Sequence, residues 1–314
     1  MSVLILEPEA YSPAAVALYR QLAPVHLATA PDPSNVEFLV VRLGHYIGRE
    51  LLSAFPRLRL IATPTTGLNH IDTAYCDEVG LRVVSLRDCP SAIEQVTSTS
   101  ELAFGLLLAL LRHIPAAARD VVESGRWDRD RFQARQVQGL RLGLIGFGRI
   151  GRHVAGYGRA FGMHVRACDP YLDDAAFSDQ QVERAELADL LTASDILSIH
   201  AKYTAETDGL IGQAEIAQMR AGVLLINTAR GEILDEEAAA LALRRGHLAG
   251  IAVDVLAREN LVAGDLGRNP LVAAARDGFN VLVTPHIGGA SRDAMHLTEQ
   301  SLAAYIVNEV VHCG

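Results

Sequence analysis

Short apolar runs alternate with stretches of helical spacing along most of the chain. Val3–Leu6, Val25–Ala28, Phe38–Arg42, Leu60–Thr63 and Arg82–Ser85 read as strands of nearly continuous hydrophobic character. Strands of that kind are buried on both faces, which predicts a parallel sheet covered by helices. Ser12-Pro13 supplies an N-cap and a first-turn proline for a helix running to Leu22, and shorter helices fit Gly48–Phe55 and Asp72–Val79. From Ala92 the pattern turns helical. Glu101–Arg112 is apolar nearly all round, predicting a helix sandwiched between layers, and Ala116–Arg126 predicts a more amphipathic one before the lone Trp127. A second alternating series begins at Leu142. Its later strands are expected at His164–Cys168, Ile196–Ile199, Val223–Ile226, Gly250–Val253 and Val281–Thr284. Helices are expected near Glu186–Thr192, Gln213–Met219 and Asp235–Arg245, and Ser291–Val311 reads as a long closing helix. The two series predict two doubly wound parallel-sheet α/β domains with a ligand cleft between them.

The second series opens on Leu142-Gly143-Leu144-Ile145-Gly146-Phe147-Gly148-Arg149-Ile150-Gly151. Gly146, Gly148 and Gly151 fit G-x-G-x-x-G: one glycine for a tight turn, one for close backbone approach to a pyrophosphate, one for close helix–strand packing. The next apolar run ends in Asp169, eighteen residues after Gly151, where a carboxylate would accept from an adenosine ribose 2′-hydroxyl. An ordinary turn at Asp169-Pro170 is the plainer reading. The order strand, loop, helix, strand, acid favours a dinucleotide site, and the acid favours NAD over NADP.

Composition narrows the function. The chain has 314 residues, enough for two domains, and a net charge of −9, which argues against nucleic-acid or anionic-membrane partners. The four cysteines, Cys76, Cys89, Cys168 and Cys313, have no metal or redox spacing, so a cytoplasmic protein with reduced thiols is expected and no metal site. Met1 is not followed by a basic segment and an apolar core, so no signal peptide is expected; nor is an appended regulatory domain. Leu102–Leu111, the longest apolar run, is too short to span a bilayer.

Candidate chemistry gathers where strands end. Arg230 follows the run at Val223–Ile226, and a guanidinium there could clamp a carboxylate; a surface salt bridge is the commoner use of arginine. Asp254 ends the next strand, and Glu259 follows in a loop, where a solvated charge is the plain reading. Thr284-Pro285-His286 ends the last. Histidine suits proton transfer near neutral pH, though eleven histidines leave no single one marked.

Together, Gly146–Arg152, Asp169, Ile226–Gly231, Asp254–Glu259 and Thr284–Ser291 resemble the D-isomer-specific 2-hydroxyacid dehydrogenase family. Thr66–Asp72, Gly125-Arg126-Trp127, Leu210-Ile211-Gly212 and Met219–Glu237 extend the resemblance over nearly the whole chain. It implies a Rossmann cofactor domain, residues 92–289, inserted into a flavodoxin-like substrate-binding domain made of residues 1–91 and 290–314. It further implies an NAD-dependent oxidoreductase acting on a small 2-oxo acid or D-2-hydroxy acid, and a homodimer formed through the cofactor domain. Carried over by position, His286 is the general acid/base, Glu259 the carboxylate orienting it, and Arg230 the substrate-binding arginine. Thr66 and Gly67 match backbone contacts to the substrate carboxylate. Arg149 and Ile150 match pyrophosphate contacts, and Thr228, Ala229 and Asp254 contacts around the nicotinamide. The chain departs from the family pattern at His200-Ala201-Lys202-Tyr203, where the family commonly has His-x-Pro-Leu, at Asn260 in place of proline, at Asn69-His70, and in an extra loop over Gly264–Arg268. An alternative implied by the resemblance is an NAD-sensing interaction protein on the same fold.

Overall fold

The computed structural model describes residues 1–259 and 266–313, with side chains described through 309. The chain divides into two compact units, Met1–Val96 with Ala290–Gly314, and Thr97–Gly289.

The first unit is a five-stranded parallel sheet in the order β2-β1-β3-β4-β5. Its strands are β1 (Ser2–Ile5), β2 (Val25–Leu27), β3 (Val36–Val40), β4 (Leu60–Thr63) and β5 (Arg82–Ser85). Side chains alternate across a strand, so one run feeds two cores. Val3, Ile5, Phe38 and Val40 pack with Ala15 and Tyr19 of α1 (Pro13–Tyr19) and Leu302 and Ile306 of the long C-terminal helix Arg292–Cys313. Leu4, Leu39 and Ile61 face the other way, onto Leu52 of α2 (Arg49–Leu52) and Cys76 of α3 (Thr73–Glu78). Helix α1 stops at Tyr19 rather than the expected Leu22. Gln21 and Leu22 donate three residues back, to Leu18 and Tyr19, tightening the last turn ahead of Pro24, which disfavours helix in its predecessor.

The second unit is a seven-stranded parallel sheet in the order β12-β11-β10-β9-β6-β7-β8. The strands are β6 (Arg141–Ile145), β7 (His164–Cys168), β8 (Glu183–Arg184), β9 (Ile196–Ile199), β10 (Val223–Asn227), β11 (Leu248–Val253) and β12 (Val281–Val283). Connections run outward in both directions from the β6–β9 pair, and ligands of such sheets bind outside the strands' carboxyl ends at that reversal. On one face, Leu142, Leu144 and Ile226 pack with Phe104, Leu107 and Leu110 of the helix Ser98–Leu111 and with Val154 of the helix Arg149–Ala160. On the other, Ile145, Leu197, Leu225 and Ile251 pack with Leu190, Ile216, Leu243 and Leu271 from four further helices. The helix Ile114–Ser124 buries none of its residues, and Val122 and Trp127 stand 84% and 92% exposed. Among the described residues no single helix is long and apolar enough to cross a membrane.

Candidate active site

The three glycines of the loop sit in different surroundings. Gly146 has φ 95°, and a Cβ there would lie 2.5 Å from the Ala201 backbone nitrogen, so both conformation and space demand glycine. A Cβ on Gly151 would lie 2.4 Å from the Gly146 carbonyl oxygen, which fixes how closely the helix Arg149–Ala160 approaches β6. Gly148 differs: a Cβ there would meet nothing within 4 Å. The space in front of it is open, and Gly148 caps the helix with no side-chain bond to the first-turn N–H groups. Half-buried Arg149 occupies the first helical position, where a cation opposes the helix dipole and burial holds its guanidinium below the usual value. An anion placed before this helix would relieve both costs.

Asp169, just past β7, accepts from the Phe147 N–H at 2.9 Å and the Tyr171 N–H at 3.1 Å. These bonds tie the carboxylate to the glycine turn and leave it lone pairs for a further donor. Thr228, after β10, buries its Oγ1 with no partner, a polar atom awaiting one. The open space at Gly148, the carboxylate at Asp169 and the orphaned Thr228 hydroxyl together fit a dinucleotide. His200 follows β9 directly. It contacts Ser198 Oγ through Nε2 at 2.9 Å, its Nδ1 is buried, and burial pushes its pKa down to about 4. It is a neutral spacer under the glycine turn.

Beyond β10, Asn227 shapes the segment carrying Arg230. Its Nδ2 donates to the Arg230 carbonyl at 2.8 Å, and its Oδ1 accepts from the Ala229 N–H at 3.0 Å. The Arg230 guanidinium donates to the Ala229 carbonyl at 2.6 Å. Gly231 then presses against the loop after β11: a Cβ on it would lie 2.0 Å from both the Ala257 nitrogen and the Leu256 carbonyl carbon. That loop is held from below by two acids that motif reading passed over. Glu236 accepts from the Ala257 N–H at 2.8 Å and from Asn269 Nδ2 at 2.6 Å, and Glu232 from the Arg258 N–H at 3.1 Å. Burial raises the Glu236 pKa, partly offset by those donors. In sequence Glu236 looks like an ordinary first-turn helix acid; only its burial marks it.

The loop delivers Glu259 to His286, with Oε1 and Nδ1 2.6 Å apart. The Glu259 carboxylate accepts a hydrogen bond from Nδ1–H, which leaves Nε2 as the ring's other working nitrogen. His286 and Arg258 both adopt left-handed backbone, φ 54° and 55°, a conformation side chains rarely take and one that clusters at functional sites. Asp254 enforces it. Its buried carboxylate accepts from Thr284 Oγ1 at 2.6 Å, Ile287 N–H at 2.9 Å and Gly288 N–H at 2.7 Å, while its carbonyl accepts the His286 N–H at 2.8 Å. In this structure Asp254 spends its carboxylate on the histidine loop.

Thr66 and Gly67 lie in the first unit, after β4. Their carbonyls are used, by Arg87 Nε at 2.8 Å and Thr65 Oγ1 at 2.8 Å, while their N–H groups donate to no acceptor among the described residues. His70 is 2% exposed and contacts Thr63 Oγ1 through Nε2 at 3.2 Å, as a core histidine does. Asn260 and the first part of Gly264–Arg268 lie outside the described residues; Leu266–Arg268 form one 3-10 turn.

A family model described as "D-isomer specific 2-hydroxyacid dehydrogenase, NAD binding domain" matches residues 104–288. A D-3-phosphoglycerate dehydrogenase of Mycobacterium tuberculosis is 33% identical over 298 residues, covering 93% of this chain and 54% of that protein. The chain thus spans about half the length of that curated relative. A hydroxypyruvate reductase of Thermotoga maritima is 35% identical over 276 residues, covering 88% of this chain and 85% of the relative. The structure of a D-lactate dehydrogenase from Aquifex aeolicus, complexed with NAD and lactic acid, superposes with a TM-score of 0.82 at 29% identity, covering 100% of this chain and 96% of that one. Model, relatives and fold agree, and the chain belongs to the D-isomer-specific 2-hydroxyacid dehydrogenase family, with an NAD-binding domain in its second unit.

Proposed function

We propose that the protein is an NAD-dependent oxidoreductase that reduces a small 2-oxo acid to a D-2-hydroxy acid, and runs the reverse. The observation that carries this is the 2.6 Å contact of His286 with Glu259, built on a strained loop in the unit that bears the dinucleotide loop. Bound NADH supplies the hydride. Gly148, Arg149, Ile150 and Gly151 hold its pyrophosphate, Asp169 its adenosine ribose, and Thr228, Ala229 and the Asp254 segment flank its nicotinamide end. Arg230 binds the substrate carboxylate and polarises the oxo group, favouring negative charge as it develops on oxygen. His286 gives the proton from Nε2 to that oxygen, and Glu259 holds the ring in place by accepting from Nδ1–H. Thr66 and Gly67 supply N–H groups to the substrate carboxylate, making the first unit the substrate-binding domain.

The same reading includes a homodimer. Ile114, Val121, Val122 and Trp127 expose apolar surface on the cofactor unit, which a second copy of this chain would cover. It also includes a cytoplasmic setting, supported by Cys76, Cys89 and Cys168 all being free thiols. The test is NADH oxidation with glyoxylate, hydroxypyruvate, pyruvate and 2-oxoglutarate. Turnover on at least one is expected, and NADH binding without turnover on any would favour a sensing role.

A further inference from the structure

All but one of the chain's 28 basic residues are arginine; the exception is Lys202. It stands in the loop after β9, at the carboxyl edge of the sheet and beside the β6–β9 reversal. A Cβ on Gly146 would lie 2.7 Å from the Ala201 Cα, so Lys202 is one residue beyond backbone that touches the glycine turn itself. Consecutive Cα atoms are about 3.8 Å apart, and four methylenes carry the ammonium further, which puts the mouth of the turn within its reach.

The loop fixes the lysine's backbone and leaves its charge unspent. Thr207 Oγ1 donates to the Lys202 carbonyl at 2.7 Å and accepts from the Thr204 N–H at 2.8 Å, closing the loop on itself. The loop's two carboxylates are engaged by tyrosines: Glu206 by the Tyr171 hydroxyl, and Asp208 by the Tyr203 hydroxyl at 3.3 Å. Lys202 is exposed, and among the described residues it forms no ion pair. A protein of net charge −9 thus keeps one unpaired ammonium beside a loop shaped for phosphates.

We propose that the Lys202 ammonium pairs with the 5′-diphosphate of the bound dinucleotide. The assignment rests on the cofactor reading above and adds a second cation to the Arg149 that stands within the glycine fingerprint. A 2′-phosphate is the other anion an adenosine cofactor could present. The ribose side is acidic, because Tyr171 ties Glu206 to the turn held by Asp169. Repulsion there selects the diphosphate.

Because the chain has one lysine, reductive ¹³C-methylation labels one side chain plus the N-terminal amine, which serves as internal control. Methylation keeps the positive charge. Titration with NADH or ADP-ribose should shift the Lys202 dimethylammonium resonance, while adenosine and 2′-AMP at saturation should leave it in place. In parallel, calorimetry on the unlabelled protein should find Lys202→Ala binding ADP-ribose about fivefold to tenfold more weakly, with Lys202→Arg close to the parent and adenosine affinity unchanged. A silent resonance in a protein that binds NADH, or equal affinities for parent and Lys202→Ala, would overturn the lysine assignment and leave the cofactor reading standing. An equal shift with adenosine or 2′-AMP would overturn it too. A parent that binds no NADH would overturn both.

Discussion

Gly231→Ala is the perturbation that most directly probes how the proposed Glu259–His286 dyad is positioned. Gly231 does not lie at positive φ, so alanine meets no backbone penalty; the cost is space. The new Cβ would stand 2.0 Å from the Ala257 nitrogen and the Leu256 carbonyl carbon, and 2.4 Å from the Leu256 oxygen. Ordinary contact needs about 3.5 Å, so the two segments must part by roughly 1.5 Å. Both neighbours are backbone, and the loop cannot yield freely because Glu236 and Glu232 hold the Ala257 and Arg258 N–H groups. Glu259 is two residues beyond Ala257. A shift of that size carries its 2.6 Å bond to His286 past the hydrogen-bonding limit. Overpacking of this kind costs about 1–3 kcal/mol of stability, and misplacing a catalytic group by about 1 Å can cost 10²-fold in rate. The assay is kcat/KM for oxo-acid reduction, with the NADH dissociation constant and the urea midpoint measured on the same preparations. The expected result is a fall of about 10²-fold in kcat/KM with NADH binding retained. Parent-like turnover in a stably folded Gly231→Ala would refute the idea that this contact positions Glu259.

Three further outcomes are expected. Asp169→Ala should erode the preference for NAD over NADP, read from the ratio of their dissociation constants, because the carboxylate that repels a 2′-phosphate is gone; an unchanged ratio would assign that role elsewhere. His200 is pushed down to about 4, below its unfolded value near 6.5, so the unfolded chain binds the extra proton between those values. Its contribution is therefore fully present above about pH 6.5 and is lost as pH falls towards 4, by at most about 3 kcal/mol. Urea unfolding of His200→Gln should show a flatter acid limb than the parent, and parallel limbs would contradict the burial argument. Sedimentation at micromolar concentration should show a dimer that Val122→Asp with Trp127→Asp converts to monomer; a monomeric parent would remove the proposed interface.

The central strands were legible because they are buried on both faces, so the apolar runs Leu60–Thr63 and Ile196–Ile199 coincide with β4 and β9. What escaped lacks that signature. The edge strand β8 is two exposed charged residues, Glu183 and Arg184, and its short preceding helix Asp174–Ser178 is marked mainly by an Asp173 cap. The glycine loop announces itself because three glycines fall within six residues. The dyad does not: Glu259 and His286 are 27 residues apart, and the local sequence around each reads as solvent-facing. Family resemblance pointed to them, whereas the devices that hold them could be found only in three dimensions. Gly231 against Leu256, Glu236 under Ala257 and Asp254 inside the histidine loop are contacts between segments distant in sequence, and no spacing rule encodes them.

The central claim is that His286 gives the proton as hydride reaches the oxo carbon. The measurement that tests it most directly is single-turnover oxidation of bound NADH by the best 2-oxo acid of the panel, in the parent and in His286→Ala, with NADH affinity measured beside it. The account predicts a rate lower by about 10²–10⁴-fold with NADH affinity within twofold of the parent, since the ring lies outside the groups assigned to the cofactor. A rate within a few-fold of the parent would contradict it, and would move the proton source away from the Glu259–His286 pair.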